Sequence, residues 1–346
     1  MKDDFLWKQA VIPEARAIAL GTGPDAAFTF PLVLMPEKEF EKASLEQVLS
    51  NVHARRDELE EQLSKHGAIL FRAFPGVTSA NAFDEFVRAG LGIRNFPYVG
   101  GNAVRKKVVA DRVFTTNESP PDRLIPFHHE LAQTSNYPSR ILFFCDLPAA
   151  QGGETPIANS VETCALIAEK FPDFLKALEQ FGVVYTRVMT EHDRAESAIG
   201  RGWKSTFNVD SKEQLEALLA SKGEQCEWLR DGAAEAGAGL MRHCSPVLPA
   251  VKTLKDGRRV FFNQVIAAYT GWQDEFNDPA TCVRLGDDTR SALDPEAMQF
   301  CIDILRECQV AFPWQEGDVL YIHNELVMHA RNTFSGPRRI FAALGV

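Results

Sequence analysis

The stretch Ile125-Pro126-Phe127-His128-His129-Glu130 decides how this chain is read. Its apolar start predicts a strand, and side chains two apart on a strand point to the same face. His128 and Glu130 therefore share one face, while His129 looks the other way. The distant His329 adds a second imidazole if a late strand folds back beside this early one. Two imidazoles and one carboxylate on one face form the donor set of non-haem Fe(II) oxygenases, which leave the opposite coordination positions open.

Working outward, short apolar runs recur with Pro, Gly and Asn between them. Ala68 to Phe71, Val108-Val109, Ile141 to Cys145 and Thr155 to Ala158 read as strands, as do Val260 to Val265, Val319 to Ile322 and Arg339 to Leu344. Strands at this spacing predict a sandwich or barrel. Helical patterns lie around them. Ser44-Leu45-Glu46-Gln47 is a capping box ahead of Val48, Val52, Leu59 and Leu63, and Asp294-Pro295 opens a later helix. An insert at about 161–250 carries amphipathic stretches near Cys164 to Phe181 and Lys212 to Leu219. We expect a single domain over residues 1–346, mainly β with α+β character. Its core is a double-stranded β-helix, or jelly roll, with peripheral helices and the helical insert.

The net charge of -10 argues against a nucleic-acid partner. The 7 cysteines form no C-x-x-C pair, which fits reduced thiols rather than a disulfide frame. The start, Met1-Lys2-Asp3-Asp4-Phe5, lacks an apolar secretory core, and no run is long enough for a membrane span. The expectation is a cytoplasmic protein with no membrane partner.

Two further positions suit an anionic cosubstrate. A guanidinium fork binds a carboxylate bidentately, and adjacent arginines on a strand face opposite sides. Of Arg338 and Arg339 we read Arg339 as the inward one and Arg338 as a solvated charge. Thr155, after Gly152-Gly153-Glu154, offers a hydroxyl donor to the same carboxylate. Asn102 and Arg105, with Arg187 and Asn263, are candidates for holding a polar substrate head group; each is open to a plainer reading as turn residue or surface charge.

These residues carry a resemblance. His128-x-Glu130, Gly152-Gly153-Glu154-Thr155, Gly317-Asp318-Val319-Leu320, His329-Ala330-Arg331 and Pro337-Arg338-Arg339 resemble the TauD/TfdA family of Fe(II)/2-oxoglutarate-dependent dioxygenases. Tyr185-Thr186-Arg187 and Gly202-Trp203-Lys204 are similar to the branch that includes clavaminate-synthase-like and SyrP-like amino-acid oxygenases. The resemblance implies iron ligands His128, Glu130 and His329, and 2-oxoglutarate contacts from Arg339 and Thr155. It implies use of Fe(II), 2-oxoglutarate and O2 to hydroxylate a C–H of an amino acid or a derivative, free or carrier-bound, with succinate and CO2 released. Desaturation or cyclisation on the same scaffold is the alternative, as is a non-catalytic jelly-roll metal-binding protein. Related halogenases lack the carboxylate ligand, so Glu130 favours hydroxylation. A second family arginine, four residues after the cosubstrate arginine, is replaced here by Ala343.

Overall fold

The computed structural model describes residues 7–20, 27–194, 196–229 and 239–346. Part of the expected insert, residues 230–238, lies outside the described residues. The largest sheet among them has eight strands in the order Trp7–Ala10, Leu32–Pro36, Ala68–Phe71, Val319–His323, Arg140–Leu147, Arg339–Gly345, Val113–Thr115 and Lys107–Val109. A second, three-stranded sheet places Val327–Arg331 between Ile157–Asn159 and Ile125–His128, all antiparallel.

Alternating side chains divide the large sheet's residues between two apolar layers. Leu70, Phe143, Leu320, Ile322, Ile340 and Ala342 join one core cluster, to which Ile157 and Val327 of the small sheet also contribute. Their neighbours Phe71, Phe144, Val319, Tyr321, Phe341 and Ala343 pack instead among Val48, Val52, Leu59 and Phe83 of the helical segments between residues 45 and 85. On the far side of the small sheet, Ala158, Met328 and Ala330 meet helices Ser160–Lys170, Val265–Gly271 and Pro295–Cys308. The order is helices, large sheet, small sheet, helices. Both faces of the central strands are buried, which explains why they read as continuous apolar runs.

The capping box forms, with Ser44 and Gln47 exchanging bonds at the start of Leu45–Ala54. The chain then breaks at Arg55 and resumes as Arg56–His66, which Gly67 ends at φ 76°. That conformation suits glycine, and a Cβ there would lie 2.7 Å from Val327 Cγ2, at the head of the strand carrying His329. The insert is more than helical: its strands Val183–Met189, Gln225–Trp228 and Met241–Cys244 join Val283–Leu285, from beyond the insert, in a four-stranded sheet.

One expected strand is corrected. The segment from Val260 to Val265 is strand only at Arg259–Val260, and helix Val265–Gly271 follows. Asn263 causes the switch. Its amide donates to Ala250 O at 2.9 Å, and its Oδ1 accepts from Val265 N at 2.9 Å, an Asx-type turn across Gln264 that leads into the new helix.

Candidate metal centre and its pocket

His128 and His329 are register partners on adjacent strands of the small sheet, with ring centroids 4.3 Å apart. His329 shares its parity with Val327, so both rings face the space between the sheets, where Phe143 of the large sheet lies 5.2 Å from His329. Glu130 arrives differently from the sequence expectation. The strand ends at His128, and the chain turns at Leu131 with φ 58°. Glu130 is fixed in that turn by Asn324, whose Oδ1 accepts from Glu130 N at 2.9 Å and whose amide donates to Glu130 O at 3.0 Å and Pro138 O at 2.7 Å. Ligand atoms of His128, Glu130 and His329 all lie within 4.8 Å of one another. His129 turns away as expected: its ring bonds to Asn324 O and lies 2.8 Å from Ser160 Oγ in the core.

The electrostatics suit a cation. Burial, helped by the neighbouring His329 ring, pushes the His128 imidazole down to about 3, so it is neutral at pH 7. Its Nδ1–H then donates to Pro126 O at 2.8 Å, leaving the Nε2 lone pair free. Burial alone would raise the Glu130 carboxyl, but Arg105 and His329 outweigh it and hold it well below the usual carboxylate range. His329 Nε2 lies 3.7 Å from Glu130 Oε2, and His329 Nδ1 is buried with no hydrogen-bond partner among the described residues. The neutral His128 imidazole, the His329 ring and one carboxylate offer a donor set that fits a divalent metal, and a pocket adjoins them.

That pocket is lined by His128, Glu130, His329, Thr155, Arg338 and Arg105, with an apolar wall that includes Leu131, Phe143 and Trp272. Here the arginine expectation is corrected. Arg339 is exposed and pairs with Asp146 on the outside. Arg338 faces the pocket, its Nε–H donating to Gly153 O at 2.9 Å. Burial, with Arg331 adding, lowers its guanidinium to about 10, which leaves it charged at neutral pH. Arg338 continues the inward parity of Ile340, Ala342 and Leu344, and a register shift between Arg339 and Ile340 lets Asp146 meet Arg339 outside. Thr155 lies in the pocket as expected, its Oγ1 accepting from Trp314 Nε1 at 3.2 Å.

The four substrate candidates separate. Arg105 and Asn102 line the pocket. Arg187 does not. It lines a neighbouring cavity, donates to Asn102 Oδ1 at 2.8 Å and Thr206 Oγ1 at 3.1 Å, and is lowered to about 10 by burial first and Arg201 second. Asn263 is wholly buried, spends its amide on the backbone and lines neither cavity. Sequence reasoning missed Gln133, three residues past Glu130, which lines both cavities. It also missed Tyr98, whose ring lies between the guanidinium groups of Arg105 and Arg201 at 4.3 and 4.8 Å.

Comparison with known proteins places the chain in a family. A sequence profile described as "Taurine catabolism dioxygenase TauD, TfdA family" matches residues 29–344. A clavaminate synthase-like protein of Arabidopsis thaliana is 42% identical over 319 residues, covering 91% of this chain and 93% of that one. The dapdiamide synthesis protein DdaC of Enterobacter agglomerans is 28% identical over 298 residues, covering 83% and 84%. Among solved structures, PvcB of Pseudomonas aeruginosa shares the fold with a TM-score of 0.50 at 13% identity, covering 97% of this chain and 93% of that one. The chain belongs to the TauD/TfdA family and is a non-haem iron oxygenase that uses Fe(II), 2-oxoglutarate and O2.

Proposed function

We propose that His128, Glu130 and His329 hold the iron, that Arg338 and Thr155 anchor the distal carboxylate of 2-oxoglutarate, and that the enzyme hydroxylates an unactivated C–H of an amino acid or an amino-acid derivative. The observation that carries this reading is the convergence of the three ligand residues within 4.8 Å at the wall of a pocket that also holds Arg338 and Thr155. The two sheets facing each other across that pocket are the halves of the proposed jelly roll, within one domain. Iron loaded with 2-oxoglutarate and O2 supplies the oxidative chemistry. The chain's own residues bind, orient and keep water out. Glu130, held ionised by Arg105, occupies the position that a halide would need, so hydroxylation is favoured over halogenation. Resemblance to clavaminate synthase-like and dapdiamide synthesis proteins supports an amino-acid type of substrate. No described helix is long and apolar enough to cross a membrane, which is compatible with a cytoplasmic enzyme.

The test is anaerobic loading with Fe(II) and 2-oxoglutarate, followed by O2 and a panel of amino acids and derivatives, measuring succinate and oxidised product. Substrate-stimulated succinate is expected in the wild type and lost in His128→Ala and His329→Ala, with much retained in His129→Ala. Absence of stimulation across the panel, or loss in His129→Ala alone, sinks the assignment.

A further inference from the structure

Besides His329 and Arg331, two side chains of the pocket, Arg105 and Gln133, hold buried polar atoms with no hydrogen-bond partner among the described residues. Arg105, whose side chain is 7% exposed, spends Nη2 on both Glu130 oxygens at 2.9 Å. Its Nε and Nη1 find no hydrogen-bond acceptor among the described residues. Gln133 is 7% exposed, and its amide orientation is fixed by its neighbours: Nε2 donates to Gly100 O at 3.1 Å and Asn102 Oδ1 at 3.4 Å. Its Oε1 is therefore an acceptor, and it too is unpartnered. Both residues line the pocket beside the metal ligands. Buried polar groups left unpaired are costly, so unpaired donors and an unpaired acceptor in one cavity describe the ligand that completes them.

Charge narrows that ligand. This step rests on the iron and cosubstrate reading above. The two positive charges of Fe(II) are answered by Glu130 and the keto-acid carboxylate of 2-oxoglutarate, and Arg338 is answered by the distal carboxylate. Arg105 would then share its counter-charge with the metal, because Glu130 is its only carboxylate partner among the described residues. The Tyr98 ring, its centroid 4.3 Å from Arg105 Cζ, holds the guanidinium in place beside the pocket.

We propose that Arg105 and Gln133 form the substrate-reading pair of this enzyme: Arg105 binds a free carboxylate of the substrate, and Gln133 Oε1 accepts an N–H from it. The substrate is thus a free acid at that carboxyl. A molecule tethered to a carrier through the same carboxyl as a thioester lacks the charge that Arg105 needs.

The experiment measures binding without turnover, by calorimetry on the full chain with Mn(II) and 2-oxoglutarate. Mn(II) and 2-oxoglutarate uptake is measured first, and its failure in the wild type sinks the iron-site reading before any further compound is added. The probes are L-amino acids and their N-acyl derivatives, each beside its carboxamide and the matching α-hydroxy acid. The tightest binder should carry a free carboxylate, with its carboxamide weaker by roughly tenfold or more. Arg105→Gln should erase most of that gap. Gln133→Leu, which leaves the Glu130 contact intact, should erase the preference for the amine over the hydroxyl. If Arg105→Gln does not hold Mn(II), the wild-type panel and Gln133→Leu decide. A tightest binder without a carboxylate, a panel in which no carboxylate binds, or a gap unchanged in Arg105→Gln overturns the carboxylate role. An unchanged amine preference in Gln133→Leu overturns the role of Gln133.

Discussion

Removing one guanidinium at a time tests which of two adjacent arginines serves the cosubstrate. In Arg338→Ala the pocket loses a partly buried cation whose one hydrogen bond among the described residues is to Gly153 O, and which no carboxylate pairs with among them. A hydrogen bond to a charged group contributes about 1.5–3 kcal/mol, and each 1.4 kcal/mol is about tenfold in affinity. The dissociation constant for 2-oxoglutarate should therefore rise roughly 10- to 150-fold. Arg338→Lys keeps the charge but loses the planar fork, so it should fall between wild type and alanine. Arg339→Ala removes a side chain that is 56% exposed and paired with Asp146. Such a surface pair is worth about 0–1 kcal/mol to stability, and 2-oxoglutarate binding should stay at its wild-type level. The assay is calorimetric titration of 2-oxoglutarate into Mn(II)-loaded protein, with the KM for 2-oxoglutarate from succinate release as a second readout. A larger loss in Arg339→Ala than in Arg338→Ala refutes the reasoning and restores Arg339 as the anchor.

Asn324→Ala leaves the backbone of Glu130 without its two amide partners, so Mn(II) affinity should drop roughly 10- to 100-fold while the fold persists; unchanged affinity in a metal titration would mean that Glu130 holds its own position. Gly101→Ala places a Cβ against the Tyr98 ring and disturbs its stack on Arg105. Substrate affinity should weaken at least several-fold with Mn(II) and 2-oxoglutarate binding intact, and equal loss of all three ligands would point to a general collapse of the loop. Burial lowers His129 to about 3 from 6.5. Between those values the unfolded chain takes up a proton that the folded imidazole refuses, so stability falls as pH drops below 6.5. At pH 5 the cost is about 2 kcal/mol, from 1.5 units at about 1.36 kcal/mol each. Urea unfolding at pH 7 and pH 5 should show this loss shrinking by about that amount in His129→Phe, and an equal or steeper loss in the variant would contradict it.

Much of the scaffold was legible because its strands carry apolar runs and its helices carry caps. Ala68–Phe71, Val319–His323 and Arg339–Gly345 announce themselves that way, as does the Asp294 cap of Pro295–Cys308. What the runs hide is direction. Ile340 to Leu344 are all buried, on alternating sides, so no polar-apolar alternation marks which side faces the second sheet. Arg338 and Arg339 were therefore indistinguishable without the layer order. The convergence of His128 and Glu130 was legible, yet the strand ends before Glu130, and Asn324 from a distant loop holds that residue in place. Asn263 misled for a related reason: its amide is used to start a helix, an outcome local spacing does not reveal. The pairing of Arg105 with Glu130 joins a loop to a turn, and no periodicity links the two.

The balance of charge in the pocket argues for what the site accepts. A chain of net charge -10 places Arg105, Arg331 and Arg338 around a cavity whose lining holds one carboxylate, Glu130. Burying a cation costs several kcal/mol unless something compensates it. Arg331 is compensated by the carbonyls of Asn117, Ser119, Pro120 and Arg123, at 2.6–3.2 Å, and it clamps that loop. Arg338 and Arg105 have no such set of acceptors, and stability alone would favour apolar side chains in their place. Two under-compensated cations on different walls, one beside Gly153 and one beside Glu130, make sense when two anionic groups enter: the cosubstrate at one, the substrate at the other. A neutral substrate would leave the second cation only Glu130, a carboxylate it would have to share with the metal, which is the physical reason to seek the natural substrate among free carboxylic acids.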